Sequence, residues 1–449
     1  METEVEKICN DYTSIKEIIE AKLASNVEER SFYVAELQDI YQKHLKWKKL
    51  LPRVKPFYAI KCNNLPEIVA FIASLGTGFD CASKQEIDQV LSLGVAPSRI
   101  IYANPCKTRH FIKHANSVNV DLMTFDNELE LQKVSQLFPN ARLVLRIKGE
   151  ERTSRCKFNI KFGADIGQCY DLLKRAKQLD LNVVGVSFHN GSDCEDADAY
   201  VKSIEACAGV FKLAQELGHE MSILDIGGGF PGEDSAKISF ERLAAVVNTA
   251  LDTYFPADCG VEIIAEPGRY YVASSMTLAT MVIAKRVEHD PMLNSDGYMY
   301  YLNDGVYGAF NNIIYEHATP EPELLDEKLR AKRKLQASIM WGPTCDSIDC
   351  IKQGFMFPEL NVGEWVVFRN MGAYTCCVAS AFNGFKRASV IVADKMRAWY
   401  INKEQSPRKQ KNNHCDAFVV SVFSNNNMAF YWYAYCCFIY YHSSSFHNL

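Results

Sequence analysis

Four short strings in this chain each carry one part of a site for an aldehyde cofactor. Lys61, in PFYAIKCN, supplies an amine, and His189, in FHNGS, an imidazole. Gly227, Gly228 and Gly229, in DIGGGFPG, supply a loop whose amides suit a phosphate, and Glu266, in AEPGRYYV, supplies an acid. Each has a plainer explanation when taken alone. A strand-end lysine is usually a surface cation, a histidine a satisfied core residue and a glycine run a turn. Together they match what pyridoxal 5'-phosphate needs: an amine to hold it as a Schiff base, a ring-facing imidazole, a phosphate cradle and an acid for the ring nitrogen. On this reading burial and neighbouring cations lower the pKa of Lys61.

Nearby residues extend the set. Arg269 in the same string as Glu266, and Ser192 beside Gly191, suit a phosphate, with a structural salt bridge as the alternative for Arg269. Asp80 and Arg146 suit orienting Lys61 or the cofactor hydroxyl, or an ion pair that closes the fold. Glu266 keeps the pyridine nitrogen protonated, which makes the ring an electron sink and favours decarboxylation over racemisation. Farther along, WGPTCDSID holds Cys345, Asp346 and Asp349, and GAYTCCVASAFNGF holds Tyr374 and Phe382. A thiol is competent to return a proton to a carbanion once carbon dioxide has left, so Cys345 is the candidate donor. Asp346 faces the substrate's distal amine, and it selects strongly because a partner lacking that charge leaves the carboxylate unpaired.

A fold must gather these residues, and the spacing of apolar runs says how. Short runs rich in β-formers alternate with amphipathic stretches: FYAIK, GFDCA, RIIYA, LMTFD, RLVLRI, VVGVSFH, SILDIG and VEIIAE. Repeated strand-helix units predict a closed parallel TIM-like barrel over residues 37–275, with a doubly wound open sheet as the alternative. Lys61, Asp80, Arg146, His189, Gly227 and Glu266 all fall at or near strand C-termini, the face where such barrels hold their sites. Beyond, MTLATMVIA, YMYYLN, LQASIMW, EWVVF, TCCVASAF and ASVIVA predict an antiparallel β domain over 276–400. Residues 1–36 lead into FYVAEL (Phe32 to Leu37), a strand that joins this later sheet, and PEPELLDEKLRAKRKLQ predicts a solvated loop or short helix. Residues 401–449 form a tail with PRKQKNNH and then MAFYWYAYCCFIYY, an aromatic run too short for a membrane-spanning helix, and disorder is expected there.

At 449 residues and 48% hydrophobic content the chain is long enough to bury two cores. A formal charge of −5 leaves no basic footprint for nucleic acid or an anionic membrane surface, which points to small-molecule or protein partners. Sixteen cysteines accompany an N-terminus, METEVEKICN, without an apolar signal core, so free thiols in a reducing cytoplasm are expected. No cysteine spacing suits zinc, and Cys376, Cys377 and Cys436, Cys437 are adjacent pairs.

In combination, PFYAIKCN, FDCASKQEI, FHNGSDC, LDIGGGFPG, IIAEPGRYYVASS, NDGVYGAFN, WGPTCDSID and GAYTCCVASAFNGF resemble the eukaryotic ornithine decarboxylase family, from about Phe32 to Tyr400. This is a group of barrel-fold, pyridoxal-phosphate-dependent decarboxylases of basic amino acids. The resemblance implies conversion of ornithine to putrescine by a homodimer with active sites at the interface, Cys345 and Asp346 being offered to the partner's Lys61. It also implies Tyr374 at the phosphate and Tyr307, Glu316, Asp346 and Phe382 around the substrate.

Three departures stand out. Where the ornithine enzymes carry Tyr-Asp-His, this chain has Tyr315, Glu316 and His317, so one carboxylate for the distal amine is a methylene longer, as in the viral arginine-specific branch. Lysine or arginine is therefore the alternative substrate. Asn190 replaces an apolar residue in the turn after His189, which alters packing without removing a cofactor contact. The tail lacks the acidic, Pro/Ser-rich ending of vertebrate members, so rapid turnover is not implied. A non-catalytic relative, the antizyme inhibitor, tends to lose Asp80, Arg146 and Tyr374, all of which are of the catalytic type here. Diaminopimelate decarboxylases carry glutamate after the cysteine, whereas here Asp346 follows. The stretch from Cys106 to Arg142 loosely resembles an antizyme-binding region.

Overall fold

Apolar runs bounded by turn residues become strands, and a computed structural model describes them over residues 3–8, 12, 14–25, 29–233, 236–326, 328 and 332–394. The tail from 401 onward, with Cys436 and Cys437, and part of the charged stretch after Pro320 lie outside the described residues. Two strands come first, β1 (Val5–Ile8) and β2 (Phe32–Glu36). Then follow β3 (Val54–Ala59), β4 (Gly78–Cys81), β5 (Ile100–Tyr102), β6 (Leu122–Phe125), β7 (Arg142–Lys148), β8 (Ser154–Cys156), β9 (Asn182–His189), β10 (Ser192–Cys194), β11 (Ile223–Asp225) and β12 (Glu262–Ala265). Of these, β3 to β7, β9, β11 and β12 form a closed parallel barrel, sealed where Ile263 of β12 pairs with Val54 of β3. The short β8 and β10 pair separately as an antiparallel ribbon.

Side chains alternate across a strand, so the barrel interior fills in layers. Its apolar layer is Phe57, Ile101, Leu122, Val144, Val184, Ile223 and Ile264, one from every barrel strand except β4. There the corresponding residue is Gly78, where a Cβ would lie 2.5 Å from the Phe57 ring, so the glycine makes room for the phenylalanine. Two residues further along their strands come Asp80, Thr124, Arg146, Asp225 and Glu266, and Ser187 is in register with both Arg146 and Asp225. An apolar plug thus carries a polar layer toward the C-terminal mouth.

The second part is a nine-stranded sheet that is mixed, not purely antiparallel as the run pattern predicts. It comprises β1, β2, β13 (Met276–Asp290), β14 (Ser295–Leu302), β15 (Pro322–Leu324), β16 (Leu335–Trp341), β17 (Cys350–Pro358), β18 (Trp365–Phe368) and β19 (Ser389–Ala393). Most pairs are antiparallel, but β19 runs parallel to both β1 and β2, and β14 parallel to β16. The reason is connectivity: the chain leaves β2 to build the whole barrel and returns at β19 in the same direction. TCCVASAF is not a strand either. It folds as turns behind Tyr374, whose φ of +53° breaks extended structure, while β17 was not foreseen.

Trp47, fully buried on the helix Leu37–Leu50, supports the site from behind. Its ring meets Phe230, Phe240 and Tyr270 at centroid distances of 4.8, 5.5 and 5.2 Å, and its Nε1 donates to the Val54 carbonyl at 2.9 Å. Phe230 follows the glycine loop and Tyr270 follows Arg269, so one indole braces both phosphate-facing segments. Trp47→Ala is expected to lower stability by about 3–5 kcal/mol, read as a lower urea midpoint with an unchanged slope; a shift within error would mean the segments are braced elsewhere.

Candidate active site

Lys61 lies in a 3-10 turn directly after β3, so the backbone turns it over the barrel mouth. Its ammonium is paired with Asp80 on the adjacent strand β4, and 40% of its side chain remains accessible while Asp80 is fully buried. This pairing corrects the expected direction of the Lys61 pKa. Burial pulls the amine down, but the charges of Asp80 and Glu266 pull it up further, so it is raised above the ordinary lysine value. No neighbouring cation outweighs the two carboxylates.

His189 ends β9, and its Nδ1 accepts from the Gly191 amide at 3.0 Å. Burial, then Arg146 and Lys61, depress its pKa well below the usual value, so the ring is neutral. Phe158 meets that ring edge-on at 5.0 Å. Arg146 lies under Phe162, its guanidinium 5.3 Å from the ring centroid.

The glycine loop admits no side chains. A Cβ would sit 2.1 Å from the Phe188 carbonyl oxygen at Gly227, 2.7 Å from that of Glu266 at Gly228 and 2.5 Å from that of Gly191 at Gly229. Gly227 and Gly229 also have positive φ, 63° and 97°. Beside the loop, Arg269 donates to Ser192 Oγ at 3.1 Å and lies 5.4 Å over the Tyr374 ring, so the structure brings these three together. Arg269 also pairs with Glu316, a contact not foreseen from sequence. Burial would lower the Arg269 pKa, but Glu316 raises it. Asn190, fully buried, accepts from Ser203 Oγ at 2.8 Å and from the Glu150 amide at 3.0 Å, so it braces the turn as its packing role anticipates.

Glu266 is held at the end of β12 by its amide, which donates to the Gly227 carbonyl at 2.7 Å, and its Oε1 is buried without a partner. Asp225 lies beside it and was missed in reading the sequence. It stands in the same string as the glycines, and the signal was the strand period: two residues past inward-facing Ile223 puts it in the polar layer. Burial raises both carboxyls, and repulsion from Asp225 and then Asp80 raises Glu266 further.

The remaining residues form a second cluster. Tyr307 donates from its hydroxyl to Asp346 and stacks on Phe382 at 4.3 Å; Asp346 is thereby held below the usual carboxylate range. Cys345 is exposed, and its amide donates to Asn383 Oδ1 at 3.2 Å. Among the described residues, no hydrogen bond, ion pair or ring contact links Tyr307, Cys345, Asp346 or Phe382 to Lys61, His189, Glu266 or Arg269. The candidate residues thus fall into two clusters.

The first cluster fits pyridoxal phosphate. It offers an amine, a Cβ-free loop beside an arginine and a serine for an anion, a neutral imidazole, and a buried carboxyl with a free oxygen for a ring nitrogen. Sequence relationships agree. A family profile described as pyridoxal-dependent decarboxylase, pyridoxal binding domain, matches residues 37–273. Ornithine decarboxylase of Rattus norvegicus is 48% identical over 408 residues, 88% of each chain. Antizyme inhibitor 2 of Xenopus laevis is 50% identical over 402 residues, 87% of this chain and 88% of that protein. Among solved structures, the Paramecium bursaria Chlorella virus arginine decarboxylase bound to agmatine is 36% identical, with a TM-score of 0.80 over 84% of this chain and 100% of that one. The chain belongs to the pyridoxal-dependent Orn/Arg decarboxylase family. It is a pyridoxal-phosphate-dependent amino acid decarboxylase built on a barrel and a separate mixed sheet.

The Lys61–Asp80 pair sets an expectation for pH. In Asp80→Asn the main raising charge is gone and burial acts with less opposition, so the amine is neutral at lower pH. Capture of pyridoxal phosphate by the apoprotein, followed by absorbance against pH, reaches its plateau at lower pH in the variant; an unmoved curve would show that Asp80 does not govern Lys61.

Proposed function

We propose that the protein decarboxylates L-ornithine to putrescine in a homodimer, each site combining the Lys61 cluster of one protomer with the Cys345 cluster of the other. The observation that carries this reading is the division of the candidate residues between two clusters that, among the described residues, no hydrogen bond, ion pair or ring contact joins. Exposed Ile348, Phe382 and Phe385 flank the second cluster and suit burial against a partner.

The cofactor, when bound, supplies an electron sink for the carbanion left as carbon dioxide departs. The chain does the rest. Lys61 would hold the cofactor's aldehyde carbon, the glycine loop with Ser192, Arg269 and Tyr374 would hold its phosphate, and His189 would offer its ring a neutral surface. Glu266 would meet the ring nitrogen, while Asp80 orients Lys61 and Arg146 helps balance the layer's charge. Asp346, ionised and oriented by Tyr307, receives the distal ammonium, with Phe382 lining the pocket. Cys345 returns a proton to the α-carbon. Residues 37–275, with Tyr374, would thus hold the cofactor, and residues 1–36 with 276–400 would present the acid donor and the carboxylate for the substrate's distal amine.

Glu316 decides which base is preferred. Its longer side chain reaches Arg269, which leaves Asp346 as the principal carboxylate for the distal amine and keeps ornithine as the leading substrate. A pocket methylene is typically worth only about 1–3 kcal/mol, so lysine is the next candidate.

Antizyme is the proposed protein partner, at the stretch from Cys106 to Arg142. An open concavity of about 630 Å³ there is lined by Cys106, Arg109, Leu129 and Lys133, with Leu129 69% exposed. No helix among the described residues is long and apolar enough to cross a membrane. The cytoplasm is the proposed location, on the reading of the cysteines as free thiols.

Carbon dioxide release from purified protein with pyridoxal phosphate, offered ornithine, lysine and arginine separately, tests the reaction. Ornithine turnover absent in Lys61→Ala is expected, with Glu316→Asp changing the ornithine-to-lysine ratio by about tenfold or more. Cofactor binding without release from any base would leave the antizyme-inhibitor reading standing. The shared site has its own check: Lys61→Ala and Cys345→Ala chains, each inactive, recover about a quarter of wild-type activity when mixed, because mixed dimers keep one intact site. For the partner, Leu129→Glu is expected to abolish co-elution with antizyme while turnover stays at the wild-type level.

A further inference from the structure

The polar layer of the barrel contains more acid than the reaction has been assigned. Asp80, Asp225 and Glu266 stand against two fixed cations, Lys61 and Arg146, and His189 adds no charge because burial keeps it neutral. Asp80 is committed to Lys61. That leaves Asp225 and Glu266, at the ends of the neighbouring strands β11 and β12, each acting on the other's charge with Arg146 as the cation nearby.

Asp225 is fully buried at the C-terminal end of β11, in register with Ser187 of β9 and Ile264 of β12. Its Oδ1 accepts from the Gly227 amide at 2.8 Å, and its Oδ2 has no partner. Glu266 Oε1 also has none. The Asp225 charge also acts on Cys207, on the helix Ala197–Glu216, a thiol that burial keeps protonated. Among the described residues, no cationic side chain is hydrogen-bonded or ion-paired to either carboxyl. Two such groups cannot both be ionised away from water, and a single proton held between them resolves the repulsion.

We propose that Asp225 is a positioning residue that shares one proton with Glu266 in the cofactor-free site, aims the free glutamate oxygen at the ring nitrogen, and loses that proton to solvent when the protonated ring binds. Among the chain's groups of this layer and the ring nitrogen alone, the charges balance in both states. Without cofactor, Asp80 and the singly protonated pair balance Lys61 and Arg146. With it, three carboxylates face Lys61, Arg146 and the protonated ring. The same Asp225 carboxyl anchors the Gly227 amide, so the acid that meets the ring and the loop beside the phosphate share one support.

The inference rests on Glu266 as the partner of the ring nitrogen, and the experiment separates the two. Wild-type apoprotein is titrated calorimetrically with pyridoxal phosphate in buffers of different ionisation enthalpy, and again with the analogue whose ring nitrogen is replaced by carbon. After subtraction of the free cofactor's own titration, about one proton per chain more is displaced by pyridoxal phosphate than by the analogue. Binding of both with equal proton counts overturns the role of Asp225 and leaves the cofactor site intact; failure of pyridoxal phosphate to bind removes both.

A second readout uses the apoprotein alone. A carboxyl pair raised in the folded state contributes stability below the unfolded carboxylate pKa, and that contribution is lost as pH rises toward the raised folded value. Wild-type apoprotein therefore loses thermal midpoint between mildly acidic and neutral pH, and Asp225→Asn flattens that slope while Asp225→Glu restores it. Equal slopes in wild type and Asp225→Asn would overturn the proposal. Should Asp225→Asn not fold, the wild-type proton count decides alone.

Discussion

Charge balance in the polar layer of the barrel is the constraint on which the rest of the structure depends. Ionised groups taken out of water are costly unless paired, and here Asp80, Arg146, Asp225 and Glu266 sit directly above an apolar plug that excludes water from below. Asp80 keeps Lys61 oriented, and the same pairing holds the amine in its charged form. The resting site is therefore stable because its nucleophile is protonated. A cofactor that replaces the ammonium by another cation leaves the balance intact, whereas a neutral one would leave Asp80 buried and unpaired.

The same economy of space governs the anion end. Three carbonyl oxygens, of Phe188, Glu266 and Gly191, close on the glycine loop so tightly that any side chain would displace a barrel strand. The loop is thus packed as tightly as core. Arg269 stands beside the loop with Ser192, Tyr374 and Glu316 around it. Glu316 is the residue with two claims upon it, since its carboxylate neutralises Arg269 and is also one of the few charges available to a basic substrate. An aspartate here would reach less far toward Arg269, so the extra methylene links substrate preference to the phosphate site.

Much of this was legible in the sequence because strand ends are marked by type. Lys61, Asp80, Arg146, His189 and Glu266 each close a run of β-formers, and period-two alternation carries them to the same face once the barrel closes. What escaped was of two kinds. Asp225 was hidden because the glycines beside it offered a sufficient reason for the motif, although Ile223 already fixed its orientation. The mixed sheet escaped because strand direction is set by where the chain has been: β2 and β19 are adjacent and parallel only after an entire barrel has been laid between them. Side-chain pairings such as Arg269–Glu316 depend on that long-range closure and leave no local periodic trace.

The sheet explains why the site is divided. β2 and β13 are the strands that enter and leave the barrel, and they pair antiparallel, so the two parts are joined at one seam. From that seam the chain runs through β14, β16 and β17, carrying Cys345 and Asp346 into a turn whose Asp349 accepts from the amides of Val306 and Thr344 at 2.7 and 2.9 Å. Gly305 and Gly342 crowd against the Asp349 carboxylate, where a Cβ would lie 2.1 and 2.2 Å away. The turn is thus rigid, yet it presents Cys345 outward. In the proposed dimer, the thiol held on this surface serves the barrel mouth of a second copy. On that proposal both clusters form separately, and docking rather than folding brings them together.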